Sequence, residues 1–262
     1  MVRFVAALLA CAPLSLWAAE GPAERLLFAE GRPGVQQPYV LTEGKGGGEV
    51  KNVLVALIGG PGVIAASEAN GVVALRGRGF PAEYRRALAD LIGAVATLDV
   101  PSDRRAMEVE FRETPEHAKD VGAVVDALAQ RYAGAKIYLL GVSNGAISVA
   151  YLGARLQGKL SGVIIASSAM MAFNEDWISA IKVPILVVHH RKDLCLEYRY
   201  IADKAKWHTL LLVDDLSKPR PGGGAAHDCG LDSAHQFGGR QEVVVAAIAQ
   251  WINTGKTVSD IR

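Results

Sequence analysis

The sequence lacks an excess of either charge: 28 Lys and Arg stand against 27 Asp and Glu, for a formal net charge of +1. That balance excludes the basic stripe on which nucleic-acid binding usually depends, so no nucleic-acid partner is expected. Cysteine is scarce as well, at three in 262 residues. His189, His190, Asp193, Cys195, His227, Cys229 and His235 are all ligand types, yet their spacing forms neither a paired C-x-x-C nor an H-x-x-x-H unit. Neither a metal nor an organic cofactor is expected. Internal repeats and low-complexity tracts are missing, and beyond residue 19 no run is long and apolar enough to span a membrane.

What is present begins with a leader. Arg3 supplies a short positive region, Phe4 to Trp17 is almost wholly apolar but broken by Pro13, and Ala18-Ala19 precede the first acid, Glu20. This pattern reads as a secretory signal over residues 1–19, leaving 20–262 as one domain. It implies a periplasmic or secreted bacterial protein with no stable membrane association after cleavage. Once Cys11 leaves with the leader, Cys195 and Cys229 remain, and in an oxidising compartment they are expected to pair.

With 50% hydrophobic residues, the domain can bury a sizeable core. Arg25 to Ala29 and Tyr39 to Thr42 read as an opening pair of strands. Val53 to Ile58 is a continuous apolar run of the length and branching expected for a strand buried on both faces. Helical and strand patterns then alternate. Helices are expected near Ala82–Leu91, Glu116–Tyr132, Asn144–Leu156 and Gln241–Ile252. Strands are expected at Ala94–Leu98, Ile137–Leu140, Val163–Ala166, Pro184–Val188 and Thr209–Val213. Such alternation implies an α/β architecture with a mostly parallel sheet and helices on both faces. Pro219 to Ala226, rich in Gly and Pro, reads as a long loop.

The strongest chemical signal is Gly141-Val142-Ser143-Asn144-Gly145, set between the apolar run Ile137–Leu140 and a helical pattern. In that context the glycines permit a tight strand-to-helix turn that holds a serine hydroxyl exposed above the sheet edge. With this motif the chain resembles the α/β-hydrolase superfamily over essentially everything after the leader. The resemblance implies an eight-stranded sheet whose first strands are antiparallel, and a triad in the chain order Ser, acid, His. Asp193, just past the strand Pro184–Val188, is the acid it implies, with Asp214 and Asp215 behind it. For the base it implies His235, in Ser233-Ala234-His235-Gln236-Phe237-Gly238, and His227 is the alternative.

The Asn144 amide and Gly60, in the loop Ile58-Gly59-Gly60-Pro61-Gly62, are the implied oxyanion donors. Gly62 comes next, because Pro61 has no N–H. Cys195 and Cys229 flank the acid and base loops as in a poorly characterised group of secreted bacterial hydrolase-like proteins. The short interval after Ala166 leaves no room for a large cap. The expected activity is hydrolysis of a small-molecule or polymer-bound ester, with thioester and amide substrates, or a non-catalytic binding protein of the same fold, as alternatives.

Overall fold

The computed structural model describes residues 23–168, 172, 174–196, 208–214 and 228–262. The leader assigned to residues 1–19, the loop expected at Pro219–Ala226 and Asp215 lie outside the described residues. Eleven strands are described: β1 (Glu24–Arg32), β2 (Val35–Glu43), β3 (Asn52–Leu57), β4 (Ser67–Ala69), β5 (Val72–Ala74), β6 (Gly93–Leu98), β7 (Lys136–Val142), β8 (Gly162–Ala166), β9 (Ile185–His190), β10 (Thr209–Val213) and β11 (Asp260–Ile261). The described helices are α1 (Arg85–Ile92), α2 (Val109–Arg112), α3 (Pro115–Arg131), α4 (Asn144–Arg155), α5 (Glu175–Ala180) and α6 (Gln241–Thr254).

The main sheet runs β1-β2-β6-β3-β7-β8-β9-β10-β11. It is antiparallel at β1–β2 and β2–β6 and parallel from β6 onward. Nine strands replace the eight expected. The addition is β11, whose two residues pair with Leu212 and Val213 at the sheet's edge. A segment that short carries no readable alternation. β4 and β5 form a separate hairpin, equally short and mostly exposed.

Alternation along each strand feeds two cores. On β3, Val53, Val55 and Leu57 point toward the apolar sides of α3 and α4, including Val121, Val125, Ile147 and Tyr151. Leu54 and Ala56 point the other way, toward Leu88 of α1 and Val244, Ile248 and Trp251 of α6. Since successive strand residues face opposite sides, a strand covered on both faces is apolar on both, as β3 is from Val53 to Leu57. Helix starts follow local chemistry. Pro115 opens α3 and the Thr114 hydroxyl accepts from the His117 amide at 3.2 Å. Asn174 likewise caps α5, accepting from Asp176 and Trp177.

The packing also traps polar side chains. His117 of α3 is 1% exposed and neither ring nitrogen has a hydrogen-bond partner. Burial, then the positive charges of Arg112, Arg104 and Arg32, push its pKa down to about 3. Burial also lowers the pKa of His189 and His208. A histidine whose pKa is depressed on folding binds more protons when unfolded, so its contribution is present above pH 6.5 and lost as pH falls from there towards 3. His117 alone should cost about 2 kcal/mol between pH 7.5 and 5. Urea midpoints should therefore fall over that range, and His117→Phe should flatten the dependence. An unchanged pH slope in the folded variant would refute the assignment.

Candidate active site

In a parallel sheet with helices on both faces, the carboxyl ends of the strands form a crevice rimmed by loops. Ser143, Gly60, Asp193 and His235 all lie on segments that leave those ends. Ser143 follows central β7 directly. It has φ 55° and ψ −123° and occupies the N-cap position of α4, yet its side chain makes no capping bond. A non-glycine residue at positive φ is strained. The strain is held by packing: a Cβ on Gly145 would lie 2.2 Å from the Leu57 carbonyl oxygen, and one on Gly141 would lie 2.1 Å from that of Gly145. Only glycines let the turn close this tightly against β3. The Ser143 amide donates to the Ala166 carbonyl at 3.1 Å, which ties the turn to β8 and leaves the hydroxyl uncommitted to the backbone.

The loop after β3 presses on the same turn. A Cβ on Gly59 would come within 2.7 Å of the Ser143 Cβ and 3.4 Å of its Oγ. Gly60 follows at φ +54° with open space where a side chain would be. The Gly62 amide is spent on the Gly59 carbonyl at 3.1 Å, so Gly60 is the better placed of the two glycines. Asn144 is the first residue of α4, where backbone N–H groups have no intrahelical acceptor.

Asp193 and His235 are brought together. The carboxylate Oδ2 lies 2.8 Å from His235 Nδ1, and both residues are buried. Its other oxygen accepts from the amides of Cys195 at 2.9 Å and Leu196 at 3.1 Å, which fixes the plane of the carboxylate. Since the ionised carboxylate only accepts, the bond to His235 places the imidazole proton on Nδ1 and leaves Nε2 as the basic nitrogen. The histidine stands on a 3-10 turn, Ala234–Gln236. Phe237, fully buried, meets Phe80 edge-on at 5.3 Å, and the Gln236 side chain accepts from the Phe80 amide at 2.9 Å. His227, the alternative base, lies outside the described residues. Asp214 directly follows β10 and pairs with Lys192 at 3.2 Å.

One neighbour of the acid stands out in the sequence only as a residue of metal-ligand type. His189, on β9, is fully buried, with Nε2 3.1 Å from the Leu196 carbonyl and 3.4 Å from Asp193 Oδ2. Both neighbours accept, so the proton sits on Nε2. The apolar run before it is the signal in the sequence, since β9 continues through His189 and His190 with every residue buried.

Cys195 and Cys229 form a disulfide across 34 positions, tying the acid loop to the segment that leads to the histidine. Ligand atoms of Asp193, Cys195 and His235 lie within 4.8 Å of one another. The sulfur, however, is bonded to Cys229, and a metal would need the thiolate.

Comparisons agree with this architecture. Residues 103–229 match the family model for Phospholipase/Carboxylesterase. Est1E from Butyrivibrio proteoclasticus is 14% identical and superposes with a TM-score of 0.62, covering 87% of this chain and 97% of that one. Dienelactone hydrolase from Anabaena variabilis, also 14% identical, gives 0.63, with 91% and 100% covered. XC6422 from Xanthomonas campestris, described as an α/β serine hydrolase without a lid, gives 0.58 at 15% identity, covering 87% and 92%. No curated protein sequence matches. Identities this low establish the shared fold alone.

Opening the disulfide should release the acid loop. Chain entropy over 34 residues corresponds to about 3 to 4 kcal/mol. The double variant Cys195→Ser/Cys229→Ser, or the reduced protein, should show a lower guanidinium midpoint, corresponding to a loss of unfolding free energy of about that size. An unchanged midpoint would mean that the loop is held by other contacts.

Proposed function

We propose that this chain, which has the α/β-hydrolase fold, is an exported serine hydrolase that cleaves carboxylic esters through an acyl-enzyme. The observation that carries the reading is Ser143, held at φ 55° on the strand-to-helix turn with its hydroxyl left out of the cap. A merely structural serine at a helix start gains about 1 kcal/mol by capping; here the backbone pays in strain to do the reverse.

In the proposed reaction His235, oriented by Asp193, takes the Ser143 proton at Nε2 as Oγ attacks the acyl carbonyl. The charge on Asp193 stabilises the imidazolium that forms. Developing negative charge on the carbonyl oxygen is received by the amides of Gly60 and Asn144. The imidazolium then gives its proton to the leaving alcohol, and water repeats the sequence to release the acid. No step calls on a cofactor.

The interval between β8 and β9 carries the short α5, in keeping with a cleft without a large cap and with small-molecule or polymer-bound esters as substrates. The Phospholipase/Carboxylesterase match and the esterase and hydrolase neighbours support ester chemistry in particular. Export is supported by the residue 1–19 leader pattern and by a disulfide of the kind that persists in oxidising compartments. No described helix is long and apolar enough to cross a membrane.

The test is hydrolysis of p-nitrophenyl acetate and butyrate by the protein from Glu20 onward, with fluorophosphonate labelling in parallel. Ser143→Ala should abolish labelling and lower kcat by about 10⁴-fold or more. His235→Ala should be similarly severe and Asp193→Asn somewhat less so. Folded protein that neither turns over nor takes the probe would overturn the reading.

A further inference from the structure

Arg112, the last residue of α2, is only 1% exposed. Burying a guanidinium is costly unless a carboxylate or a full set of acceptors compensates it. Its hydrogen-bond partners here are neutral: Nη2 donates to the Gly60 carbonyl at 3.0 Å, Nη1 donates to the Ser148 hydroxyl at 3.2 Å, and Nε has none. The acid whose charge acts on it, Glu108, is engaged by Arg104 at 3.1 Å and makes no hydrogen bond to it. Burial lowers the pKa of Arg112 to about 10, which leaves the group charged at neutral pH.

The two partners lie on the two segments that meet at Ser143. Gly60 is in the loop packed on the nucleophile from the β3 side. Ser148 lies on α4, one turn beyond Asn144. The loop also rests on the guanidinium itself, since a Cβ on Gly62 would come within 3.0 Å of Nη2 and 2.8 Å of Met107. A planar guanidinium can direct two N–H groups at two fixed acceptors at once, which a lysine ammonium on a flexible stem does less well.

We infer that Arg112 is a positioning residue for the oxyanion site, clamping the Gly60 carbonyl to Ser148 of α4 so that the Gly60 and Asn144 amides keep a fixed separation. Holding the Gly60 carbonyl fixes the rotation of that residue and so the aim of the loop's donor. The positive charge behind the loop, hydrogen-bonded to no carboxylate, also favours negative charge gathering on the substrate oxygen, an effect strengthened by the dry surroundings. It does so without touching the substrate. Because this rests on the serine-hydrolase reading, its loss should appear mainly in the step that forms the tetrahedral oxyanion.

Arg112→Met, Arg112→Lys and Ser148→Ala are compared with the unaltered protein using p-nitrophenyl butyrate kinetics and the rate of fluorophosphonate inactivation. Near-UV circular dichroism reports folding. Removing an oxyanion donor outright typically costs 10²- to 10³-fold in kcat, so a residue acting one step behind should cost roughly 10- to 100-fold. Arg112→Met should lose about that much in kcat and in inactivation rate, with KM within about twofold. Arg112→Lys should recover part of the loss, and Ser148→Ala should lose only a few-fold.

A folded Arg112→Met with normal kcat, or a loss confined to KM, would overturn the inference while leaving the hydrolase reading intact. If Arg112→Met does not fold, the other two variants decide: lowered kcat in both supports the clamp, and normal kcat in both refutes it. An unaltered protein inert to ester and probe alike would remove the hydrolase reading and this inference together.

Discussion

Everything in the candidate site depends on how closely two backbones approach beside Ser143. The turn from β7 into α4 fits under the end of β3 only because Gly141, Gly145 and Gly59 present hydrogen where any other residue presents carbon. At would-be Cβ distances of 2.1 to 2.7 Å the obstacles at Gly141 and Gly145 are backbone carbonyls, which cannot rotate away as a side chain can. Ser143 is thereby kept in a conformation it would leave if the packing loosened. The strain and the tight fit are one feature, because each β-carbon added would reopen the turn and let the serine relax into an ordinary cap.

Around that rigid centre the other groups are held by different means. Ser143 inherits its position from the sheet, whose ladder extends on both sides of β7. Asp193 and His235 stand on loops farther from the centre and are fixed by local bonds: two amides on one carboxylate oxygen, one imidazole on the other, and an aromatic contact beneath Phe237. His189 adds a fourth N–H directed at the same acid loop. The disulfide reinforces the acid loop by bonding Cys195, two residues past Asp193, to Cys229.

Legibility in the sequence followed the same division. β3, β6 to β10, the long helix α3 and the turn at Ser143 were readable because each combines an uninterrupted period with local punctuation, as in Thr114-Pro115 before α3. The neighbourhood of Asp193 and His235 was readable only through resemblance, since they are 42 positions apart and no local pattern brings them together. β11 was not readable, because pairing with β10 decides its state and two residues have no period. Arg112 and His117 were missed for a related reason. Arg112 ends a four-residue helix, α2, too short to carry a readable period, and its burial comes from the tertiary approach of α3 and α4; His117 lies within the expected helix Glu116–Tyr132, but a lone histidine there gives no sign of burial.

The buried polar residues also locate a cost in the design. A compact domain gains little by enclosing a guanidinium with neutral partners or an imidazole with none, and apolar residues of similar volume are often as stable or more so. Here Arg112 and His117 line one small cavity under the loop that carries Gly60, together with Leu57, Ile58 and Met107. Core packing alone would not select that pair. Arg112, through its bond to the Gly60 carbonyl, ties this layer to the loop beside Ser143, and its charge helps to hold His117 neutral. Stability forgone in this layer and backbone strain at Ser143 then serve one end, a fixed geometry at the carboxyl edge of the sheet.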